Sequence, residues 1–412
     1  STPQVLCENF HKLELPVRRV SFAGHSMQSA ASFFLVVPMI PSGVMVELPP
    51  ETQSAGRVHV KSRGQRLLCF GGCDYFRLST HSAVIRAAQT AIIDGGLDVA
   101  ASRMTTGNHP IYRQLERALV QFFRMESAVL ASSGYASGLL VAQALSGSVS
   151  HVFLDERAHG CLRDAAHWLG VPTRDFRHRD PTSLRKQLGR LSVGAKPLIG
   201  TDGMFAADGA LAPVGDLLEL LPENGLLWID DSHGAGTLGA RGRGSMEEAK
   251  SRVGARADRL IVTMTLSKAF GCYGGAVLGP AALRERILEK SRLFTGNTPL
   301  PPLLAAAAIA SIHILKTDPS LRRRLRANTT QLRSALAAEG WPVEASASPV
   351  LALTPASDKE AATMRRRLLR AGILPTFIRY PGGPDGGFLR LAVSSEHSAQ
   401  EVELLGQSLR RD

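Results

Sequence analysis

The chain has 412 residues, 44% of them hydrophobic and 20% charged, which is more than one core usually fills and excludes a disordered or largely membrane-embedded polypeptide. Lysine and arginine outnumber aspartate and glutamate by 48 to 36, a formal charge of +12 that favours encounter with anionic partners. The basic runs Arg322-Arg323-Arg324 and Arg365-Arg366-Arg367 sit in helix-like segments without interleaved aromatics; they read as solvated faces and argue against a nucleic-acid partner.

Residues 1–56 read as an irregular segment that ends in the Pro49-Pro50 and Ser54-Ala55-Gly56 breaks. Its apolar stretch from Ala31 to Pro41 is interrupted by two prolines and is shorter than the roughly 20 residues a membrane span needs, so it reads as buried structure or a partner contact. It also lacks the order of a signal peptide. Arg57 to Lys61 alternates, turns at Arg63-Gly64 and resumes at Arg66 to Phe70, which predicts a hairpin. From there short apolar strands alternate with helices. Strands are expected at 127–131, 151–154, 197–200, 226–230 and 259–263, and helices at 135–145, 161–169 and 214–221. That alternation predicts an α/β fold with a mostly parallel sheet covered on both faces, and ligands at the strands' carboxyl ends. Beyond Pro299 the texture changes to amphipathic helices at 303–316 and 321–339. Strands at 349–354, 373–378 and 388–393 then mix with helices at 359–371 and 398–409, a smaller α+β lobe. The expected division is therefore 1–56 of uncertain role, 57–298 as the large domain and 299–412 as the small one. Five cysteines, Cys7, Cys69, Cys73, Cys161 and Cys272, show no zinc spacing and make an odd count, which fits a reducing, cytoplasmic setting.

The chemistry collects at the predicted strand ends. Ile261 to Thr265 leads into Leu266-Ser267-Lys268, and Leu226 to Ile229 ends in Asp230-Asp231-Ser232-His233. Taken singly, the lysine is as readily a solvated charge and the acidic run a capped loop. In this order they supply an amine for an imine, an acid to keep a pyridine nitrogen protonated and an imidazole for a ring oxygen, the set that suits pyridoxal phosphate. Ser133-Gly134-Tyr135 joins a strand to a helix, so the amides of Gly134 and Tyr135 would face a dianion at a helix start. Tyr135 itself either lies beside the ring or merely packs. His159, just after the strand at 151–154, is placed to stack on a cofactor ring and to meet substrate.

Thr106-Gly107-Asn108-His109, Ser133-Gly134-Tyr135, Asp155 to His159, Asp202-Gly203-Met204-Phe205, Asp230 to Gly234 and Thr265 to Lys268, in unbroken order over residues 57–410, resemble the α-oxoamine synthases. This group of fold-type I pyridoxal phosphate enzymes includes 8-amino-7-oxononanoate synthase, 2-amino-3-ketobutyrate CoA ligase, 5-aminolevulinate synthase and serine palmitoyltransferase. The resemblance implies that Lys268 carries the cofactor imine, Asp230 pairs with the pyridine nitrogen, His233 bonds the ring oxygen and His159 stacks. It implies that Thr265 joins Gly134 and Tyr135 on the phosphate, and that Thr298 reaches the phosphate of a neighbouring subunit in a homodimer. It also implies that Arg390 holds the amino acid carboxylate. The implied reaction is the decarboxylative condensation of a small amino acid with an acyl thioester of coenzyme A or an acyl carrier protein. Four positions depart from the family pattern: Cys73, Gly138, Ala206 and Gly382. Other fold-type I reactions, aminotransfer or aldol cleavage, remain open on the same residues, as does a non-catalytic partner subunit.

Overall fold

The computed structural model describes residues 49–247, 258–379 and 386–411. Every described element lies within the unit Pro50–Asp412. The N-terminal apolar stretch and Gly382 lie outside the described residues.

Three antiparallel strands come first: β1 (Thr52–Ser54), β2 (His59–Ser62) and β3 (Gln65–Leu68). The β2–β3 pair is the predicted hairpin, whereas β1 lies in a stretch expected to be irregular. Its short, exposed, polar sequence carries no alternation to read. After α1 (Ser82–Gly95) and α2 (Pro110–Phe123) comes the central sheet. Its strands are β4 (Ser127–Ala131), β5 (His151–Asp155), β6 (Thr173–Phe176), β7 (Pro197–Asp202), β8 (Leu226–Asp230), β9 (Leu260–Thr265) and β10 (Gly275–Gly279). Between them lie α3 (Gly134–Leu145), α4 (Gly160–His167), α5 (Pro181–Leu188) and α6 (Val214–Glu219). The strand order is β4-β10-β9-β8-β7-β5-β6, parallel from β9 through β6, with β10 antiparallel to both β4 and β9.

Except for the edge strand β6, these strands are buried on both faces, and their period of two sorts residues between two cores. Ala128 and Leu130 enter one cluster with Tyr112, Leu115 and Phe122 of α2, while Val129 and Ala131 enter the other with Leu140 and Val141 of α3. Leu227 and Ile229 likewise face the first cluster and Trp228 the second. Trp228 is fully buried, yet its indole N–H donates to Thr263 Oγ1 at 3.0 Å, so burial strands no donor. Truncation to alanine at such a site costs about 3–5 kcal/mol.

Beyond α7 (Ala281–Lys290), α8 (Arg292–Gly296), α9 (Pro302–Thr317) and α10 (Pro319–Ala338) a separate sheet forms in the order β11-β13-β12. It comprises β11 (Val350–Leu353), β12 (Phe377–Ile378) and β13 (Phe388–Ala392) and packs with α11 (Asp358–Arg370) and α12 (Ala399–Ser408) around a third core. Helix starts follow local chemistry. Ser133, Asp180, Ser357 and Ser398 each accept a backbone N–H at an N-terminus, and Ser398 with Glu401 completes a capping box.

Candidate active site

Parallel pairing puts the ends of β7, β8 and β9 side by side, with Asp202 opposite Asp230 and Asp230 opposite Thr263. Around these ends a cleft is lined by Ser133, Gly134, Tyr135, His159, Asp202, Asp230, His233, Thr265, Lys268 and others. Seven of the nine residues singled out from sequence therefore meet in one place: Gly134, Tyr135, His159, Asp230, His233, Thr265 and Lys268. Arg390 and Thr298 stand apart from that lining.

The acid end is built first. Asp230 is buried, and its Oδ1 accepts the Ser232 N–H at 2.9 Å while its Oδ2 accepts the Cys161 thiol at 2.9 Å. Beside it, Asp202 Oδ2 accepts the His159 N–H at 3.0 Å. Burial, and then the charge of Asp230, push the Asp202 carboxyl well above the usual carboxylate range. His159 caps α4: its Nδ1 accepts the Cys161 N–H at 3.2 Å. Burial holds its pKa below the usual value. The neutral ring therefore carries its proton on Nε2.

His233 is buried too, and burial, with Lys268 next, holds its pKa well down. Its Nδ1 lies 2.7 Å from the Tyr75 hydroxyl, which leaves Nε2 for the cleft. Tyr75 is a site residue that sequence reasoning passed over. Its sequence signal is slight: it lies two residues past Cys73, one of the departures from the family pattern.

Opposite the acids is the anion end. Ser133 caps α3 through Oγ to the Ala136 N–H at 3.1 Å, and the amides of the first turn have no partner within a helix. Thr265 Oγ1 accepts the Ser267 N–H at 3.1 Å and lies 2.7 Å from Ser267 Oγ, so Ser267 joins the cup although the sequence did not mark it. Contact here is close. A Cβ on Gly134 would lie 2.6 Å from Thr265 Cβ, so only glycine lets α3 start this near β9. The Tyr135 hydroxyl bonds Asp164, and that bond raises its pKa to about 12. Tyr135 thus stands at the rim, ring half-exposed.

Lys268 follows β9 by three residues and lines the same cleft, half-buried; burial lowers its pKa. The donor set matches pyridoxal phosphate end to end. The buried Asp230 carboxylate calls for a cation such as a protonated pyridine nitrogen, the first-turn amides of α3 with the Thr265 and Ser267 hydroxyls suit a dianion, and Lys268 is the one lysine of the lining.

Arg390, on β13, donates from Nε to the Ala206 carbonyl at 2.7 Å, and its Nη2 lies 3.7 Å from Cys73 Sγ. Two departures from the family pattern thus meet at this arginine. Ala206 serves through its backbone, which a change of side chain leaves in place. Gly138 has a different explanation: a Cβ there would sit 3.2 Å from Ala165 Cβ and 3.3 Å from the Cys161 carbonyl, so the glycine lets α3 pack against α4. Thr298 is exposed and lines a separate small pocket with Arg103, Ser132, Phe294 and Asn297.

Comparison with known proteins agrees with this geometry. Residues 65–409 match the family described as aminotransferase class I and II. The chain is 33% identical over 356 residues to 8-amino-7-oxononanoate synthase of Methylobacillus flagellatus, covering 86% of this chain and 89% of that one. Identity to the enzyme of the same name from Nitrosococcus oceani is 34% over 348 residues, covering 84% and 91%. Among solved structures, the serine palmitoyltransferase of Sphingomonas wittichii superposes with a TM-score of 0.80 at 28% identity, covering 85% of this chain and 88% of that one. An SPT structure with PLP gives 0.79 at 27%, with the same coverage. No helix among the described residues is long and apolar enough to cross a membrane. Taken with the converging lysine, acid and imidazole, these likenesses place the chain in the aminotransferase class I and II family, on its α-oxoamine synthase branch, as a pyridoxal phosphate-dependent acyltransferase of fold type I.

Proposed function

We propose that the enzyme joins a small amino acid, alanine before glycine or serine, to an acyl thioester, releasing the thiol and carbon dioxide and leaving an α-amino ketone. The observation that carries this reading is the meeting of Lys268, Asp230 and His233 in one cleft of a chain 33% identical to a protein named for an amino-ketone product. In 8-amino-7-oxononanoate the amine-bearing carbon ends in a methyl group, which is the side chain of alanine.

Bound pyridoxal phosphate supplies an aldehyde for the amino group and a cationic ring that spreads the charge of a carbanion. Asp230 holds the proton on the ring nitrogen, its two oxygens fixed by Ser232 and Cys161. His233 donates from Nε2 to the ring oxygen, because Tyr75 occupies Nδ1. His159 stacks and presents its Nε2 proton. Gly134 and Tyr135 amides with Thr265 and Ser267 hydroxyls bind the phosphate. Lys268, whose pKa burial lowers, takes the α-proton and later returns it. Arg390 grips the carboxylate by its fork, oriented through Nε on Ala206. In the net change a carbon–carbon bond forms between the α-carbon and the acyl carbonyl, the carbon–sulfur bond breaks, and the carboxylate leaves as carbon dioxide.

We assign residues 57–298 to the cofactor domain and 299–412 to a small domain that brings Arg390. A homodimer with shared sites is supported by the exposed apolar side chains of Ile92, Ile93, Leu97 and Met104, and by the exposure of Thr298 away from its own cleft. The basic chain suits either coenzyme A phosphates or an acidic carrier protein. Free Cys69, Cys73, Cys161 and Cys272 support a reducing, cytoplasmic setting. The test is a panel of glycine, alanine and serine with and without acyl thioester, followed for free thiol and carbon dioxide. Turnover without thioester would replace the proposal with aminotransfer or aldol cleavage, and a chain that stays colourless in excess cofactor would leave only a partner-subunit role.

A further inference from the structure

Behind the two groups that would touch the cofactor ring lies a buried thiol. Cys161 Sγ is 2.9 Å from Asp230 Oδ2 and 3.0 Å from His159 Nδ1, and its own N–H lies 3.2 Å from the same Nδ1. It comes from the first turn of α4, held in place by the His159 cap and by the close approach of Gly138 to the Cys161 carbonyl. A thiol has one proton to give. The Cys161 N–H already occupies His159 Nδ1, which leaves the S–H for the carboxylate. We propose that Cys161 is a positioning residue. Its thiol fixes the Asp230 carboxylate and its amide fixes the tautomer of His159, so that one residue sets both the ring-nitrogen acid and the ring-stacking imidazole.

Several contacts around the thiol support the assignment. Burial, and then Asp230, push the thiol pKa up, so it stays a donor and does not become a thiolate competing with the acid. Asp230 Oδ1 already takes the Ser232 N–H. With Cys161 on Oδ2 both oxygens are fixed, and the carboxylate plane cannot rotate. A carboxylate with one oxygen free would keep its charge but lose its aim. The role is distinct from that of His233, whose partner is Tyr75.

This inference rests on the assignment of the cleft to pyridoxal phosphate, and the experiment separates the two. Parent, Cys161→Ala and Cys161→Ser chains are titrated with pyridoxal phosphate by equilibrium dialysis, and the visible absorbance of each loaded chain is followed from pH 6 to 10. If the parent itself binds no cofactor, the assignment of the cleft is wrong. If it binds, Cys161→Ala is expected to weaken cofactor affinity by about fivefold to tenfold, the size of one lost hydrogen bond to a charged group with a weak donor. It is also expected to move the pH at which the absorbance changes. Cys161→Ser keeps a donor on the same bond and is expected to restore both readouts to near the parent values. Two results overturn the role: an alanine variant that matches the parent in affinity and pH profile, or a serine variant as impaired as alanine, through misfolding or otherwise, which would mean that the thiol serves packing alone.

Discussion

At the acid end of the cleft, Asp202 and Asp230 stand at matched positions on neighbouring parallel strands, each fixed by backbone N–H or thiol donors. At the proposed substrate end, Arg390 comes from a different sheet, and its shortest bond is to a backbone carbonyl of a loop, Ala206. The first arrangement is set by a strand ladder in which every member is constrained by its neighbours. The second depends on two parts of the chain, 184 residues apart, that share no strand pairing. The proposed electrostatic work is built on the ladder, and the proposed recognition is left to side chains and loops around it.

This contrast orders what substitutions should do. Lys268→Ala should lower thiol release by about a thousandfold or more, since it removes both the amine and the base. Borohydride reduction of the loaded parent followed by peptide mapping should label Lys268 and nothing else; label elsewhere would refute the ladder-end site. Asp230→Asn should cost about a hundredfold to a thousandfold in kcat, the usual loss when a fixed charge facing the reacting system is neutralised. At the other end, Arg390→Lys keeps the charge and loses the fork, so it should raise KM for the amino acid by about tenfold with a smaller change in kcat. If instead kcat falls and KM holds, the arginine belongs functionally to the acid end.

The smallest effect concerns stability. Asp231, next to Asp230 and fully buried, is pushed up to about 8 by burial, against 3.8 unfolded. A carboxyl whose folded value is raised favours folding while protonated, so its contribution is full below pH 3.8 and is lost as pH rises toward about 8. Thermal midpoints of the parent should therefore fall relative to Asp231→Asn between pH 5 and 8. Parallel curves would place the ionised form of Asp231 comfortably in the fold.

Much of the acid and anion ends was legible in the sequence. Apolar runs of five or six residues mark strands buried on both faces, and the polar residues that break them mark the carboxyl ends, so Asp230, His159 and Lys268 could be placed in order. Other parts left no periodic trace. Strand β6 is exposed at Thr173, Arg174 and Asp175, and β10 is bounded by glycines, so neither shows the apolar signal of its neighbours. Helices α1 and α2 went unassigned, although His109 and Pro110 open α2 with a side-chain cap and a proline in its first turn. Tyr75, Cys161 and Ser267 matter through contacts across 158, 69 and 2 residues. The first two are tertiary facts that no local pattern encodes, and the third is hidden among small residues.

The reversed strand β10 fixes the length of the chain just past Lys268. It returns antiparallel beside β9 and pairs with β4 on its other side, with Ala276 and Leu278 in one core and Val277 in the other. Adding or removing a single residue within Gly275–Gly279 would slip both ladders and turn the side chains beyond it to the opposite face. The strand behind the lysine should consequently tolerate insertions poorly, whatever happens to its individual letters.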